Sequence, residues 1–460
     1  MAANVSLPVL LGRPRLIHPH TNPEDLSRFS QQRPDSTRVR ARTWIGEAHV
    51  KDWTDLGPIV GSSDDVHLMT VAPTGAGKGR DVIIPNLLCY EGSVVVFDPK
   101  GENYDVTHKF REEKLGQEIV VLDPFGKTTA SDVQRGSLNP FEVFSAIGPS
   151  GSIAASEEAG DFGRLLSDIL MGGLQSLRDP FWDNMAQLLI AAVVSDMMTS
   201  ESGRPRTLEE LRRLIFVDDL RYQMHRTLDE RESRLDPGTA QEYKMLLGIN
   251  ADQTFAGILA TAAQQLSPFG TRASTGSTGS TSFDLKALTD PTRRISIYIV
   301  IPPHKLRTHK RLVRAWVGSL LYYVMNNHNP NARLLFLIDE AAQLGKFSLL
   351  EEAITLLRGY GMRTWTFWQD LAQIISIYDR SAETIINNSS VFQVFGATNF
   401  GAAKAISERI GCSVGDLLQL SSEDQILAFN NEWPTRVGRI NYLTDPVLKV
   451  RKERNPRHPD

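Results

Sequence analysis

Short, continuous apolar runs that end in polar residues recur along the chain, at 68–71, 93–97, 119–122, 295–301, 334–338 and 364–368. Parallel strands covered by helices on both faces read this way, because every side chain meets an apolar neighbour. The polar residue that closes each run then lies at the carboxyl edge of the sheet, where ligands of open α/β folds gather. Between 149 and 270 the runs stop. Apolar residues there recur at helical spacing, as in Trp182, Met185, Leu189, Ala192 and Val193, then over 208–215 and over 243–266. After the fourth run begins the return to strands, Leu312, Trp316, Leu320 and Tyr323 mark one helical face, and Phe347, Leu350, Ile354 and Leu357, after the fifth, mark another. The second of these ends at Gly359 and Gly361, a glycine stop.

The pattern predicts an α/β core with a mostly parallel sheet, interrupted by an inserted all-α domain. The divisions fall at 1–66 for an N-terminal arm and lead-in strands, 67–148 and 284–445 for the two parts of the core, 149–283 for the insertion, and 446–460 for a basic tail. The insertion is expected to be dispensable for the fold of the core. The Gly/Ser/Thr-rich stretch 272–281 is expected to be a mobile loop, and the tail from Lys449 onward, with Arg451, Lys452, Arg454 and Arg457, a disordered extension. Residues 1–40 show no sustained periodicity, and Arg33, Arg38, Arg40 and Arg42 make the arm mildly basic.

Composition changes this picture little. A chain of 460 residues, 41% apolar and 23% charged, is long enough for two or three cores and is neither disordered nor fibrous. The net charge of −4 gives no global attraction for nucleic acid, so DNA contact would need a local basic patch or a pore lining. Cys89 and Cys412 are the two cysteines, too few for a disulfide framework and outside any metal-ligand spacing. A reducing, cytoplasmic setting follows. No apolar stretch is long enough for a membrane span, and the first twenty residues, with Arg13, Arg15, His18 and His20, lack a signal peptide's apolar core.

The chemistry concentrates at 67–104, HLMTVAPTGAGKGRDVIIPNLLCYEGSVVVFDPKGENY. A short strand runs into the turn Pro73, Thr74, Gly75, Ala76, Gly77, Lys78 and Gly79, and a helix begins at Arg80, expected with the turn at the nucleotide. Glycines let backbone N–H groups close around phosphate oxygens, the helix start adds unpaired N–H donors, and Lys78 supplies a mobile cation. The generic pattern G-x-x-x-x-G-K-[ST] is met imperfectly: Ala72 stands at the first glycine and Gly79 where a magnesium-ligating hydroxyl is expected. The competing reading is a glycine-rich turn without chemistry. Asp98 and Lys100 close the next run and are expected beside the phosphate loop, either as nucleotide contacts or as a simple turn.

The segment 72–104 resembles the nucleotide-binding core of the TraG-like type IV coupling proteins, a family related to FtsK-like and HerA-like motors. The likeness runs from about Arg42 to about Gly411. Glycine after the lysine is common there, so Gly79 departs from the generic loop but not from this family. The resemblance implies a P-loop, RecA-like ATPase core in a hexamer at the cytoplasmic side of the bacterial inner membrane. Such a motor uses ATP and Mg²⁺ to pass a relaxase–DNA complex or a secreted protein to the components of a type IV secretion channel. Family members usually carry an N-terminal membrane anchor, and none is expected in this chain. The insertion is implied to face substrate and secretion partners.

The run 334–338 ends in Asp339 and Glu340, the second half of a triphosphate site: Asp339 to hold magnesium through its water shell, Glu340 to polarise the attacking water. An apolar run before Asp-Glu is a weak signal alone and a strong one when paired with an upstream phosphate loop. Gln369 closes the run 364–368, where the family places a sensor of the γ-phosphate; a strand-end polar cap is the alternative. Arg358, at a helix end, is either a cation offered to a neighbouring subunit's nucleotide or a partner for its own helix's last carbonyls. Two other functions fit the residues less well: a substrate-recruitment platform with weak or no ATPase activity, favoured by Gly79, and a DNA motor unconnected with secretion.

Overall fold

The computed structural model describes residues 9–14, 60–62, 66–145, 153–172, 179–200, 203–357, 359–429 and 433–456. Arg33, Arg38, Arg40, Arg42, Arg358 and Arg457 lie outside them, as does most of the lead-in stretch after Trp44. Among the described residues the strands are β1 (Val9–Pro14), β2 (Val60–Ser62), β3 (His67–Val71), β4 (Ser93–Phe97), β5 (Glu118–Leu122), β6 (Ile295–Ile299), β7 (Leu334–Ile338), β8 (Met362–Trp368), β9 (Ser389–Val394), β10 (Asp424–Phe429) and β11 (Thr435–Gly438). They form one sheet in the order β2-β1-β11-β10-β9-β3-β8-β7-β4-β6-β5. From β9 to β5 every neighbouring pair is parallel, and the edge from β9 to β2 is antiparallel.

The central strands bury both faces, as their continuous apolar runs predict. Val94 and Val96 of β4 pack with Leu335, Leu337, Trp365 and Phe367 on one side, while Val95 and Phe97 pack with Phe336, Ile338 and Trp368 on the other. Each fully buried side chain of this size contributes about 1.5–3 kcal/mol relative to exposure. β1 shows no sustained apolar pattern, and it is held in the sheet by backbone pairing with β2 and β11.

Helices fill the stretch between β5 and β6. They are α3 (Pro140–Ser145), α4 (Ile153–Met171), α5 (Pro180–Thr199), α6 (Leu208–Ile215), α7 (Leu220–Arg231), α8 (Pro237–Leu247), α9 (Asp252–Leu266) and α10 (Arg272–Thr278); α1 (Ile84–Leu87) and α2 (Glu102–Glu113) precede them. Side chains at their starts accept backbone N–H groups: Asp179 from Phe181 for α5, Thr207 from Glu210 for α6. Their apolar faces share one continuous core with the sheet, in which Leu166, Ile169, Leu189 and Ile258 join Val95, Phe97 and Ile338. This revises the expectation that the core folds without the insertion, since removing it uncovers that face.

Two expected flexible stretches are ordered. Within 272–281, Arg272–Thr278 forms α10, with Ser274, Ser277 and Thr278 buried and each hydroxyl donating to a carbonyl one turn back or nearby. The tail forms α17 (Pro446–Lys449), and Arg451 is buried, donating to the Leu88 carbonyl at 3.3 Å over the ring of Phe110. Small hydroxyls that bond their own helix, and an arginine whose partners are distant carbonyls, look the same in sequence as loop residues.

After β6 come α11 (Pro303–Asn326), then α12 (Ser348–Leu356) after β7, α13 (Leu371–Tyr378) after β8, α14 (Ala382–Asn388), α15 (Phe400–Ile410) and α16 (Val414–Leu418). α12 ends before Gly359 and Gly361. Gly361 holds φ +77°, and a Cβ there would lie 2.1 Å from the Asn329 carbonyl, so no other residue fits the start of β8.

Candidate active site

β3 is flanked by β8 and β9, and β7 lies just beyond β8. The carboxyl ends of β3, β8 and β7 therefore deliver the phosphate loop, Gln369 and the pair Asp339–Glu340 to one edge of the sheet. The loop turns at Gly75 and Gly77, with φ of +79° and +93°, and Ala76 donates to the Pro73 carbonyl at 3.1 Å. A Cβ on Gly77 would lie 2.6 Å from an Asp81 oxygen, so both backbone angle and space demand glycine. The helix opens with a wide, π-type turn, Gly79–Ile83, before α1. Gly79 has nothing within 4 Å of a Cβ position, so no steric constraint excludes a hydroxyl there.

Lys78 Nζ donates to Glu340 Oε2 at 3.1 Å and lies 3.9 Å from Asp339 Oδ1. Gln369 Nε2 donates to the other Glu340 oxygen at 2.7 Å. Lys78, Asp339, Glu340 and Gln369 thus form one connected group, mostly buried but open at 13–20% of the charged side chains. Glu340 adopts a left-handed backbone, φ 64° and ψ 58°, which costs a non-glycine residue about 1–3 kcal/mol. That turn aims the carboxylate back at Lys78. Burial pushes the Asp339 carboxyl above the usual range, Lys78 opposes the shift, and Glu340 adds to it.

The strand order corrects the placement of Asp98. β4 lies beyond β7, two strands further from β3 than β8, so Asp98 sits beside Asp339 and not beside the phosphate loop. It is 1% exposed; Oδ2 accepts from the Tyr104 N–H at 3.0 Å, and Oδ1 has no hydrogen-bond partner among the described residues. Burial raises its carboxyl to about 7, against the Tyr104 hydrogen bond and with help from the Asp339 charge. Arg80, expected at the nucleotide, instead holds its neighbour Asp81 through both carboxylate oxygens at 2.6 and 2.8 Å.

Arg439, just past β11, completes the loop from the far end of the chain. Its guanidinium donates to the carbonyls of Ala76 at 2.6 Å, Asp424 at 2.7 Å and Phe395 at 3.1 Å, stacks 3.8 Å over the Phe395 ring, and lies 3.7 Å from Asp81. The side chain is 5% exposed. Nothing local marks it in the sequence, because its partners are backbone carbonyls hundreds of residues upstream and on neighbouring strands.

Pro73 to Gly79 thus form a backbone cradle beside a lysine, two carboxylates and an amide, an arrangement suited to a nucleoside triphosphate and a divalent cation. The orphaned Asp98 oxygen next to Asp339 agrees with a site that takes a cation.

A family model described as type IV secretory system conjugative DNA transfer matches residues 28–414. The chain is similar to Protein VirD4 of Agrobacterium fabrum (strain C58 / ATCC 33970), 27% identical over 363 residues that cover 75% of this chain and 49% of that protein. It is also similar to the conjugal transfer protein TraG of Rhizobium radiobacter, 28% identical over 358 residues, 76% of this chain and 53% of that one. It spans about half the length of these curated relatives. Its fold is similar to that of the bacterial conjugative coupling protein TrwBdeltaN70 in its unbound monoclinic form, with TM-score 0.62 at 16% identity over 82% of this chain and 87% of that one. The plasmid coupling protein TrwB is matched with TM-score 0.62 at 16% identity over 94% of each chain. With a phosphate loop on β3, an acidic pair on β7, and a family match over most of its length, the chain belongs to the TraG-like coupling proteins of type IV secretory conjugative DNA transfer.

Proposed function

We propose that this chain is the ATP-hydrolysing motor portion of a coupling protein that passes DNA, protein or a relaxase–DNA complex to a type IV secretion or conjugation channel at the cytoplasmic side of the bacterial inner membrane. The observation that carries it is the convergence of Lys78, Asp339, Glu340 and Gln369 at one strand edge, with contacts of 2.7–3.9 Å. TrwB, of the same fold, is described in complex with ADP and Mg²⁺ and with non-hydrolysable GTP and ATP analogues, which supports the choice of ligand. Mg²⁺, when bound by Asp339, would neutralise charge on the phosphates.

Each residue then has a definable task. The N–H groups of Thr74 to Gly79 and the Lys78 ammonium bind phosphate oxygens and stabilise the charge that develops on them. Triphosphate draws Lys78 away from Glu340, leaving that carboxylate to accept a proton from the attacking water. Gln369 orients Glu340 and senses the γ-phosphate. Arg358 supplies a cation to the next subunit's nucleotide in a hexameric ring. Among the described residues no helix is long and apolar enough to cross a membrane. Gly79, which leaves one magnesium ligand to water, favours as a second reading a recruitment platform with slow turnover.

ATP hydrolysis by the purified chain, measured with and without DNA, tests the proposal. Lys78→Ala should abolish nucleotide binding and turnover, whereas Glu340→Gln should bind ATP and lose turnover by about 10²-fold or more. Parental turnover in Glu340→Gln would remove Glu340 from the role of base.

A further inference from the structure

The helix α11 begins with a run of basic residues, His304, Lys305, Arg307, Lys310 and Arg311, and all of them are exposed or half-exposed. None makes an ion pair among the described residues, in a chain whose net charge is −4. Their neighbours make the imbalance sharper. Lys310 is pushed down by burial and then by Arg311 and Arg314, and no carboxylate offsets this. Arg311 meets only the Gln265 amide oxygen, and its Nε has no partner. His309, 7% exposed, bonds Thr308 through Nδ1 at 2.8 Å, while its Nε2 is unpartnered. Lys305 stands 5.5 Å over the Phe125 ring.

Basic side chains left without ion pairs are answered by a polyanion. From His304 to Arg311 the helix rises about 10 Å, which spans several phosphates of a nucleic acid carrying one charge per about 1.7 Å of duplex axis. A single phosphate or carboxylate would answer one or two of these cations. The large exposed apolar side chains of the described residues all lie on other elements, so α11 offers neither the apolar anchor of a peptide groove nor that of a membrane-surface helix.

The same helix reaches the segment that follows Glu340. Its backbone kinks at His309, φ −116° and ψ 15°, and continues to Arg314. Arg314 is 1% exposed and donates to the carbonyls of Leu344 and Lys346 at 2.7 Å each, to Ile169 at 2.6 Å and to Asp168 at 3.4 Å, stacked 4.6 Å from Phe347. Leu344 ends the short turn Ala341–Leu344 that follows Glu340, and Ile169 lies in the last turn of α4. Arg314 therefore ties α11 both to the Glu340 segment and to the helical insertion.

We propose that the basic first half of α11 is a contact surface for the phosphate backbone of nucleic acid, and that Arg314 carries its occupation to Glu340. This rests on the reading of the chain as a motor of DNA transfer. Arg314 is a positioning residue: it touches neither nucleotide nor nucleic acid.

Affinity of the full chain for a short fluorescent single strand, and for the matching duplex, is measured across a salt series. The triple variant Lys305→Ala, Arg307→Ala, Lys310→Ala should reduce the slope of log affinity against log salt by about 2–3, at roughly 0.7–0.9 per lost phosphate contact. These side chains are exposed or half-exposed, and circular dichroism reports folding. An unchanged slope overturns the surface, as does a loss confined to phosphatidylglycerol vesicles, which would assign the patch to lipid. For the link, Arg314→Lys and the milder Gly318→Ala, whose Cβ would meet Ile169 at 2.8 Å and Phe347 at 3.1 Å, should keep the slope and lose stimulation of hydrolysis by DNA. Retained stimulation in both, or none in the parent, overturns the link. Absence of any hydrolysis would instead sink the motor reading, and the slope would still decide the surface.

Discussion

A single buried guanidinium shows how much one residue holds at this site. Arg439 satisfies three carbonyls from three segments, one of them Ala76 inside the phosphate loop. Hydrogen bonds from a charged donor are worth about 1.5–3 kcal/mol each, and buried carbonyls left unpaired cost more than the bond itself. Arg439→Ala is therefore expected to lower stability by about 3 kcal/mol and to weaken nucleotide binding beyond tenfold; Arg439→Lys should recover little, since a lysine keeps the charge near Asp81 but cannot fork to all three carbonyls. Urea unfolding and nucleotide titration check both. Asp98 predicts a pH effect of definite sign. Its carboxyl titrates near 3.8 when unfolded and about 7 when folded, so its contribution is fully present below about pH 4 and is lost as pH rises through 7. Asp98→Asn, which keeps an acceptor for the Tyr104 N–H, should gain up to about 4 kcal/mol over the parent at pH 8 and little at pH 4. Melting curves at the two pH values decide it, and a parent as stable at pH 8 as at pH 4 relative to the variant would refute the assignment.

At the scale of elements, the strands were legible because burial on both faces writes itself as an unbroken apolar run, and β4 and β7 fall where those runs lie. The helix α6 was equally plain, since Leu208, Leu211 and Ile215 make one buried face. What stayed hidden were elements stabilised by partners distant in sequence, β1 through β11 and α17 with Arg451 through the Leu88 carbonyl, and α10, whose small hydroxyls bond carbonyls of their own helix. Gly361 marks the boundary between α12 and β8, and the steric argument there is strong. Gly361→Ala should cost at least about 2 kcal/mol, from left-handed strain and displacement of the Asn329 carbonyl together. A denaturant midpoint equal to the parent's would show that the 329–332 turn yields freely.

For the whole molecule, the shared core of sheet and insertion changes the outcome expected from deleting 149–283. Joining 148 directly to 284 uncovers Val95, Phe97 and Ile338 on one sheet face, and the product should bind a hydrophobic dye or aggregate. A monodisperse, cooperatively unfolding product would restore the insertion as an independent domain. Ring assembly is tested by mixing Arg358→Ala chains that keep Lys78 with Lys78→Ala chains that keep Arg358. Recovery of hydrolysis by the mixture is expected, because an arginine supplied in trans is worth about 10³ or more in rate; hetero-oligomers as inactive as either parent would exclude Arg358 from that role.

The sequence by itself determined the strand runs, the phosphate loop with Lys78, the acidic pair Asp339–Glu340 and the polar residue Gln369, because each depends on neighbours a few positions away in a pattern of burial or turn chemistry. Only the tertiary structure decided that β8 lies between β3 and β7, which brings Gln369 onto Glu340 and sends Asp98 to Asp339. It alone revealed Arg439 under the loop and Arg314 beneath the turn that follows Glu340. Strand order and the partners of a buried arginine are set by how the whole core packs, and backbone carbonyls, which every residue carries, leave no mark in the sequence to announce which side chain they will hold.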